Sequence, residues 1–418
     1  MNAILRSSRG AMRVGILTQY YPPEMGAPQA RLSHLAGQLV RRGHEVVVLT
    51  AMPNYPTGRV FPGYGGFRRR EQRDGVSVIR CGLYPTTDVR MVPRMASYFS
   101  FVFSSIAIGT FALPKLDYLI TESPPLFLGI AGYLLARRTG ARWIFNVSDL
   151  WPESAVALGA VGKGRALDAA LRLEAFCYRK AWLVTGQSRE ILENIRGRFP
   201  SVPVYHLSNG VDTDLFRPER RSAEARARLS NGHGSPSPCV AMYAGLHGIA
   251  QGLDQILEAA SRLTDVPSLS IAFVGDGPVK ASLQSRSREL GLRNVRFLDA
   301  LPREEMPALV ASADLALVPL RMSLPGAVPS KIYEAMGAGV PVVLVASGEA
   351  ADIVQRSQAG VSVRPGDVAG LAAAIRGLAA DSATRSRLGM AGRAAAERDF
   401  DRVRIADRFI AHLEGAVA

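Results

Sequence analysis

VPSKIYEAMGAGVPVVL, residues 328–344, has the pattern of a short helix that leads directly into a buried strand. Pro329 and Ser330 are residue types favoured at the first turn and the cap of a helix. The apolar run that closes the stretch shows no polar alternation, so both faces of the strand are expected to be covered. A helix followed at once by such a strand predicts an α/β fold with a parallel sheet.

The same alternation of helices and short apolar strands extends over most of the chain. In the first half the predicted strands are RVGILTQ (13–19), EVVVLT (45–50), VSVIRC (76–81), YLITE (118–122), RWIFNV (142–147) and AWLVTG (181–186). After a polar loop the pattern restarts, with the predicted strands CVAMYAG (239–245), LSIAFVGDG (269–277), VRFLDA (295–300), LALVPL (315–320) and PVVLVA (341–346). The chain has 418 residues, which is too long for one hydrophobic core and suits two. We therefore expect two doubly wound, Rossmann-like α/β domains facing a cleft.

The domain boundaries follow from where the two patterns end. The first domain is expected at residues 12–198 and the second at 204–396, with a linker near 198–204. The last helix, 397–418, follows the completed second sheet and is a candidate to cross back to the first domain. Ligands of open α/β sheets bind beyond the carboxyl ends of the strands, so the loops just after each strand are the candidate sites.

The charge of the chain is strongly positive, at +14. Much of the excess lies in one region, in Arg59, Arg68, Arg69, Arg70, Arg73, Arg80, Arg90 and Arg94. No aromatic RNA-binding signature or helix-turn-helix pattern accompanies these arginines, so nucleic acid is not an expected partner. Two interpretations stay open: a solvated basic face, or attraction to an anionic membrane surface. The three cysteines lie far apart without metal-ligand spacing, which favours a reducing compartment.

One segment is unusually apolar: residues 95–114, MASYFSFVFSSIAIGTFALP. Its length reaches the threshold for a membrane span. It is followed by a predicted strand of the first domain, and a span would place the two halves of that domain on opposite sides of a membrane. We expect a helix that packs on the sheet and partly dips into a membrane, with a true span as the alternative. The first eleven residues lack the apolar core of a secretory signal.

Two loops of the first domain carry candidate ligand-binding residues. The first strand is followed by YYPPEMGAPQAR, in which Gly26 permits close backbone approach before a helix begins. The strand 142–147 is followed by SDLWPES, which brings together Asp149, Trp151 and Glu153. Carboxylates can accept hydrogen bonds from sugar hydroxyls, and a tryptophan ring can stack on the face of a sugar. A plain strand-to-helix turn for the first loop, and a helix cap with a packed tryptophan for the second, remain open.

The second domain has glycine-rich turns after its first two strands. LHGIAQG contains Gly245 and Gly248, with His247 between them, and the next strand ends in GDGP. Such turns let backbone N–H groups and a helix N-terminus face a diphosphate. A glycine pattern alone is weak support, and a lone histidine is more often incidental.

Lys331 and Glu334 lie three residues apart on one face of the helix in the opening stretch. A lysine in the first turn is unfavourable against the positive end of the helix dipole, and an anion bound there would reverse the penalty. Glu334, one turn deeper, can accept two hydrogen bonds from a vicinal diol such as a ribose. The pair therefore predicts a nucleotide site, and a surface salt bridge is the alternative.

The chain resembles the family 4 retaining glycosyltransferases of the two-Rossmann (GT-B) architecture over nearly its whole length. The motifs that carry the resemblance stand in the expected order: GHEVVVLT, NGVDTDLFRP, VGDGP, FLDALPREEMPALVASADLALVPL and EAMGAGVPVV. Within the family it looks most like the branch that builds O-antigen, capsule and exopolysaccharide repeats, including N-acetylfucosamine transferases, through PPEMGAPQARLSHLAGQL, DLWPESAVALGA and VPSKIYEAMG. The resemblance implies a nucleotide-sugar donor in the second domain and an acceptor in the first.

Several positions depart from the usual pattern of the family. Glu334 matches the second of two glutamates that often stand eight positions apart, but Gly326 stands at the first. Leu246 and Gln251 occupy positions where an arginine and a lysine are common, and Ser148 replaces a frequent histidine.

The resemblance and the loop positions together assign roles to individual residues. The donor-binding candidates are Gly26, Gly245, His247, Gln251, Gly275, Asp276, Leu301, Ser330, Lys331 and Glu334. The acceptor-binding candidates are Glu24, Asp149, Trp151 and Glu153. The catalytic candidates are Asp149, Lys331 and Glu334, with Lys331 supplying part of the missing positive charge.

The implied reaction moves a sugar from a nucleoside-diphosphate sugar, a UDP-sugar by preference, to a saccharide linked to undecaprenyl diphosphate, with retention at the anomeric carbon. The leaving phosphate is expected to help deprotonate the acceptor, a step carried over from the family. No DxD-like carboxylate pair follows a strand, so we expect no metal and no cofactor beyond the substrate itself. The expected location is cytoplasmic, peripheral on the inner face of the cell membrane.

Two other functions stay open at this point. A nucleotide-sugar epimerase on the same scaffold would need more acid/base carboxylates and histidines than Asp149, Glu153 and His247 provide. A non-catalytic, membrane-bound partner would explain the missing glutamate and the missing arginine and lysine. A nicotinamide dehydrogenase is disfavoured because no GxGxxG opens the first strand-to-helix turn.

Overall fold

The computed structural model describes residues 10–24, 26–88, 90–157, 162, 164–230 and 239–417. The chain divides into two compact units. Unit 1 contains the described residues up to Asn209 together with those from Val403 onward, and unit 2 is Gly210–Arg402. Both are α/β units built on a mainly parallel sheet, as predicted.

Unit 1 has an eight-stranded sheet in the order β3-β4-β2-β1-β5-β6-β7-β8. The strands are β1 (Arg13–Thr18), β2 (Glu45–Ala51), β3 (Arg68–Arg73), β4 (Val76–Cys81), β5 (Tyr118–Ser123), β6 (Arg142–Val147), β7 (Leu183–Gly186) and β8 (Val204–His206). The first six helices are α1 (Ala27–Arg41), α2 (Met91–Ala112), α3 (Leu128–Thr139), α4 (Glu153–Ala157), α5 (Arg165–Lys180) and α6 (Arg189–Arg198). All strand pairs are parallel except β3 with β4. The central strand β1 places Ile16 between Val48 and Ile120, and this residue is buried as its apolar neighbours require.

Unit 2 has a six-stranded parallel sheet in the order β11-β10-β9-β12-β13-β14. The strands are β9 (Cys239–Ala244), β10 (Leu269–Val274), β11 (Val295–Leu298), β12 (Leu315–Pro319), β13 (Val342–Val345) and β14 (Gly360–Val363). Its helices are α7 (Ala223–Leu229), α8 (Asp254–Ser261), α9 (Lys280–Glu289), α10 (Met306–Ala311), α11 (Ser330–Gly337), α12 (Glu349–Arg356), α13 (Val368–Ala380) and α14 (Ser382–Ala395), and a π-helical turn covers Ala396–Phe400. The opening stretch forms α11 and β13, as its pattern predicts.

The chain passes between the units twice, and the two passages lie side by side. The backbone N–H of Val211 donates to the carbonyl of Phe400 at 2.8 Å, and the N–H of Arg402 donates to the carbonyl of Val211 at 2.9 Å. The Thr213 hydroxyl adds a bond to the Asp401 carboxylate at 2.7 Å. The first passage follows β8, which the sequence analysis placed at the start of the second domain but which pairs with β7 in the first sheet.

The last helix, α15 (Arg402–Val417), completes the core of unit 1. Phe409, Ile410 and Leu413 are buried in one cluster with Val14 of β1. The Tyr118 hydroxyl donates to the carbonyl of Leu413 at 2.8 Å. Without this helix, one face of the unit 1 sheet would expose part of its apolar surface.

The arginines between residues 59 and 94 do not all form a surface. Arg80 is buried, and its guanidinium pairs with Glu71 at 2.7 Å and donates to the carbonyl of Ala51. This pairing arises because β3, an edge strand of sequence RRREQR, runs antiparallel to β4 and brings Glu71 over the sheet. Arg68, Arg69 and Arg70, on the same edge strand, are exposed. The reading of all eight arginines as one basic face is therefore wrong for Arg80.

Helix α2 packs on the sheet along one face. It contacts α3, β2 and β4, and it begins at Met91, four residues before the predicted start. The stretch Val92–Ala112 is long and apolar enough to cross a membrane, while 39% of its most apolar window is buried inside the protein. Its outer face carries exposed apolar residues, of which Phe103 is 68% and Phe111 is 88% exposed.

Candidate functional site

Two glycine turns meet at the carboxyl edge of the unit 2 sheet. Gly245 follows β9 and Gly275 follows β10, and both have a φ of +139°. A Cβ on Gly275 would overlap the carbonyl oxygen of Gly245, and a Cβ on Gly277 would lie 2.5 Å from the carbonyl oxygen of His247. Glycine is therefore required here by the close approach of one turn to the other.

Lys331 extends from the first turn of α11 onto the Gly245 turn. Its Nζ would lie 2.7 Å from a Cβ at Gly245, and it stands 5.8 Å from the centre of the Tyr243 ring. Burial lowers the pKa of Lys331, whereas the nearby carboxylate of Glu334 opposes that shift. Within the described ranges, no carboxylate lies at ion-pair distance from this ammonium. An anionic ligand would compensate its charge.

Glu334 is half-buried one turn further along α11. Among the residues that the structure describes, none donates a hydrogen bond to its carboxylate, so both oxygens are available to a ligand. Ser330 is the first residue of the helix, and Pro329 before it provides no side-chain cap. The structure thus brings together four of the predicted donor-binding residues: Gly245, Ser330, Lys331 and Glu334.

His247 has a different environment from the one expected of a ligand-binding histidine. Its side chain is fully buried, 5.8 Å from the ring of Tyr243, 6.2 Å from Phe273 and 6.5 Å from Phe297. Neither ring nitrogen has a hydrogen-bond partner among the residues that the structure describes. Burial, assisted by the charge of Lys280, lowers the pKa of His247 to about 4. The structure presents only its backbone at the turn, and that backbone is hydrogen-bonded to Asp276 and Val279.

The other donor-binding candidates of unit 2 lie around these turns. Gln251 lies against Gly248, and its buried Oε1 has no hydrogen-bond partner within the described ranges. Asp276 is exposed, and its carboxylate accepts from the N–H of Gly277 at 2.8 Å. Leu301 is half-buried and packs on the core of the unit. Gly26 lies in unit 1 as the N-cap of α1, whereas all the other donor-binding candidates lie in unit 2.

In unit 1, the loop after β6 carries two side chains that pack or pair within the protein and one that remains a candidate for chemistry. Trp151 is half-buried with its ring edge-on to Phe127 at 5.4 Å. Glu153 pairs with Arg198 at 3.0 Å. The ion pair of Glu153 and the ring contact of Trp151 fit the interpretation of a helix start with a packed tryptophan.

Asp149 in the same loop is half-buried and remains a candidate for chemistry. It accepts a hydrogen bond from the Ser154 hydroxyl at 2.8 Å. Burial raises the pKa of Asp149, and the hydrogen bonds from Ser154 and the backbone of Leu150 oppose that rise. A carboxylate with a raised pKa is a better acceptor for the proton of a substrate hydroxyl.

Glu24 organises the loop after β1. Its buried carboxylate accepts from the backbone N–H groups of Asn54 at 2.8 Å, Tyr55 at 2.9 Å and Tyr21 at 3.2 Å. Burial raises the pKa of Glu24, and these three bonds oppose the rise. The carboxylate is already hydrogen-bonded to three backbone N–H groups, so its position does not indicate a direct contact with the acceptor substrate.

A buried polar network at the carboxyl edge of unit 1 was missed by sequence reasoning. Nη2 of Arg31 lies 2.8 Å from both carboxylate oxygens of Glu122 and 3.0 Å from the Ser148 hydroxyl. Asn146 donates to Glu122 at 2.7 Å and accepts from Thr185 at 2.6 Å. The signal that could have found it is an arginine on the inward face of APQARLSHL and a glutamate that ends the strand YLITE. The network fixes the end of β6, directly before Asp149.

Two family models match the chain one after the other. Glycosyl transferase 4-like domain matches residues 26–210, and Glycosyl transferases group 1 matches residues 229–395. WcaI of Escherichia coli, named as a colanic acid biosynthesis glycosyl transferase, is 28% identical over 97% of this chain and 100% of its own. A GDP-mannose-dependent alpha-(1-6)-phosphatidylinositol monomannoside mannosyltransferase of Mycolicibacterium smegmatis is 29% identical over 90% of this chain and 92% of its own.

Solved structures share the fold at lower identity. Anabaena Alr3699/HepE, solved in complex with UDP and glucose, has a TM-score of 0.72 and 19% identity, over 97% of this chain and 100% of its own. A sucrose-phosphate synthase from Thermosynechococcus elongatus has a TM-score of 0.74 and 20% identity over the same shares. Both glycosyltransferase models fall on the units that carry the candidate residues. The chain therefore belongs to the family 4 glycosyltransferases of the GT-B type, and it is a glycosyltransferase of polysaccharide or glycolipid synthesis.

Proposed function

We propose that this enzyme transfers a sugar, with retention, from a UDP-sugar to a lipid-linked saccharide acceptor in the synthesis of a bacterial surface polysaccharide. The observation that carries the proposal is the half-buried ammonium of Lys331, which lies against the Gly245 turn and has no ion-pair partner among the described residues. A cation at the start of a helix, beside glycine turns, suits the diphosphate of a nucleotide sugar.

The donor would bind in unit 2 through three kinds of group. Lys331 and the first backbone N–H groups of α11 would hold the diphosphate, because the helix dipole and the lysine both favour negative charge there. Glu334 would accept two hydrogen bonds from the ribose hydroxyls. The Gly245 turn leaves room for the diphosphate to approach the backbone, since it carries no side chain.

The chemical step breaks the bond between the anomeric carbon and the oxygen of the β-phosphate. The diphosphate leaves with the electron pair, and the acceptor oxygen forms the new bond on the same face of the sugar. The proton of the acceptor hydroxyl passes to the leaving phosphate, while Asp149 would orient that hydroxyl. Lys331 would stabilise the charge that develops on the diphosphate, an interaction worth most in a buried site.

We expect the reaction to need no divalent metal. Full activity in EDTA would agree with a diphosphate held by a lysine and backbone groups. Loss of activity in EDTA, with recovery on addition of magnesium or manganese, would contradict this part of the mechanism.

The nucleotide can be identified by thermal stabilisation. A ligand that binds only the folded protein raises its melting temperature. We expect UDP-sugars to stabilise the protein more than GDP- or dTDP-sugars, and Glu334→Ala to reduce the stabilisation by UDP-sugars. Stabilisation by GDP-mannose alone, the donor named for the mycolicibacterial relative, would replace UDP in the proposal.

Turnover separates the proposal from the two alternatives. Release of UDP together with a glycosylated, undecaprenyl-diphosphate-linked acceptor is the expected result. Conversion of one nucleotide sugar into another without any acceptor would indicate an epimerase. Donor binding without turnover on any lipid-linked acceptor would indicate a non-catalytic partner.

We also propose that unit 1 docks on the cytoplasmic face of the membrane. Support comes from the exposed apolar face of α2 and the neighbouring Arg68, Arg69 and Arg70 of β3. Apolar contact resists salt, whereas attraction between arginines and anionic lipids weakens with it. Flotation with anionic liposomes should therefore decrease in salt and decrease when these three arginines become serine.

A matched control removes the same charge elsewhere. Arg288, Arg303 and Arg387 are exposed residues of unit 2. Their triple serine variant should float as well as the unmodified protein. Equal losses for the two triple variants would show that only the net charge matters, and no flotation at low salt would refute membrane docking.

A further inference from the structure

An apolar groove lies on unit 1 between α2 and the loop that follows β4. We call it the α2 groove, and its volume is about 570 Å³. Its apolar lining is formed by Phe67, Leu83, Phe103 and Ala107. Phe67 is 65% exposed and Phe103 is 68% exposed, so two large apolar rings stand at its mouth. The volume falls within the range of about 300–1,000 Å³ that is usual for small-molecule sites.

Polar groups in the wall of the groove already form hydrogen bonds within the protein. The Ser104 hydroxyl donates to the carbonyl of Gly82 at 2.6 Å. The Ser100 hydroxyl accepts from the N–H of Tyr84 at 2.8 Å, and the N–H of Gly82 donates to the carbonyl of Phe67 at 2.8 Å. A ligand in the groove therefore meets apolar surface, which is the environment that a hydrocarbon chain prefers.

A row of aromatic rings leads from the groove to the loop that carries Asp149. Phe103 lies 6.5 Å from Phe99, Phe99 lies 4.8 Å from Phe127, and Phe127 lies 5.4 Å from Trp151. All four belong to unit 1. The apolar path thus ends two residues from the carboxylate that we assign to the acceptor hydroxyl.

A cation stands on the same helix as the groove. Arg94 of α2 lies six residues before Ser100, or about 9 Å along the helix axis. Its guanidinium donates to the Tyr98 hydroxyl at 2.9 Å. In the part of the chain that is described, no carboxylate pairs with Arg94.

We propose that the α2 groove holds the hydrocarbon chain of the lipid-linked acceptor, with the acceptor's diphosphate at Arg94. The inference rests on the lipid-linked acceptor proposed above and adds a place for its lipid part. Charge complementarity selects this occupant, because one molecule with an apolar chain and an anionic head matches an apolar groove with a cation on the same helix that has no carboxylate partner among the described residues.

The test uses soluble ligands and the full-length protein without membranes. Farnesyl phosphate, below its aggregation concentration, should bind in isothermal titration calorimetry, whereas inorganic phosphate should not. Geranyl phosphate, shorter by one isoprene unit, should bind more than fourfold more weakly, since one buried methylene alone accounts for about a fourfold change. Arg94→Gln should weaken farnesyl phosphate at least fivefold and leave farnesol unchanged.

The matched pair of variants places the same charge inside and outside the groove. Ala107→Glu puts a carboxylate into the groove, and Ala169→Glu puts one at an exposed position of α5, on another helix of unit 1. Both positions are exposed, so neither substitution disturbs the core. We expect Ala107→Glu to weaken farnesyl phosphate at least tenfold and Ala169→Glu to change it less than twofold.

Other occupants give different results. Tighter binding of lyso-phosphatidylglycerol than of farnesyl phosphate would overturn the assignment in favour of a bilayer phospholipid. No binding of either, with equal losses of liposome flotation in both variants, would show a surface that only rests on the bilayer. A dimer in light scattering that Ala107→Glu abolishes, without ligand binding, would assign the groove to a second copy of the chain.

Because binding is measured without donor or turnover, the groove and the reaction can fail separately. If farnesyl phosphate binds as expected but no lipid-linked acceptor is glycosylated, the groove stands and the proposed reaction is wrong. If transfer occurs at equal rates in the unmodified protein and Ala107→Glu, and farnesyl phosphate does not bind, the reaction stands and the groove proposal is wrong.

Discussion

Replacing His247 with leucine would test the consequence of burying an imidazole among aromatic rings. The ring is fully buried beside Tyr243, Phe273 and Phe297, and in the described part of the chain no group hydrogen-bonds to either nitrogen. Leucine is apolar and close to histidine in size, so it should fill the same space without an unsatisfied polar atom. At pH 7.5 we expect the variant to be at least as stable as the unmodified protein.

The magnitude follows from the pKa of the ring. Burial lowers the pKa of His247 from 6.5 to about 4, and each unit of pKa corresponds to about 1.4 kcal/mol, so the full effect is about 3 kcal/mol. Because the folded pKa lies below the unfolded one, the unfolded chain binds the proton first as the pH falls. This contribution to stability is therefore intact above pH 6.5 and is lost progressively toward pH 4.

The assay is urea unfolding at a series of pH values from 7.5 to 4, followed by two signals. Far-ultraviolet circular dichroism reports on both units, whereas tryptophan fluorescence reports on unit 1, since Trp143, Trp151 and Trp182 all lie there. The unmodified protein should lose about 3 kcal/mol more than His247→Leu over this range. The difference should appear in the transition that belongs to unit 2 and not in the fluorescence of unit 1.

Two results would refute the reasoning about His247. Equal pH dependence of the two proteins would show that the ring is not held neutral by burial. A loss of nucleotide-sugar affinity of more than a few-fold in the leucine variant would show that the ring contacts the donor, as the sequence analysis first suggested.

Other substitutions probe the remaining charged groups. Glu334→Ala should weaken nucleotide-sugar binding by about 2–3 kcal/mol with an unchanged circular dichroism spectrum, and unchanged affinity in calorimetry would remove Glu334 from the site. Lys331→Met should raise the melting temperature, because burial lowers the pKa of this lysine and makes its charge unfavourable at neutral pH. The same variant should bind the donor more weakly. A lower melting temperature would instead show that Lys331 has a structural role. Arg80→Leu should destabilise unit 1 by about 3–5 kcal/mol in urea unfolding, since it removes the buried partner of Glu71 and leaves only Arg69, at 4.0 Å. Its control, the exposed Arg70→Ser, should stay within about 0.5 kcal/mol, and equal effects would contradict the assigned burial.

The strands that could be predicted from sequence are those buried on both faces. Their runs of valine, isoleucine and leucine reflect the parallel sheet, whose central strands are covered by helices. The edge strand β3 was missed because RRREQR contains no apolar residue, and an edge strand needs none on its solvent side. The four-residue strand GVSV (Gly360–Val363) was missed because it is too short to show a period.

The site residues that could be predicted are those whose role follows from neighbouring residues in the sequence. Lys331 and Glu334 were found because a helix start and a three-residue spacing can be read from neighbouring residues. The partners of Glu24 and Glu153 could not be found in this way, because they come from distant segments of the chain. Arg31 and Glu122 meet across 91 positions, and only the order of strands in the sheet brings them together.

The double passage of the chain between the units has a consequence for how the protein is made. Unit 2 is inserted into unit 1, whose last helix carries Phe409, Ile410 and Leu413 into the core beside Val14. At about 5–20 residues per second, the ribosome needs roughly 10–40 s to add the inserted unit. During that time the first sheet waits with part of its apolar face uncovered, so the half that is translated first is the half that finishes folding last. Protease protection of chains arrested before and after the codons of α15 would show this order directly.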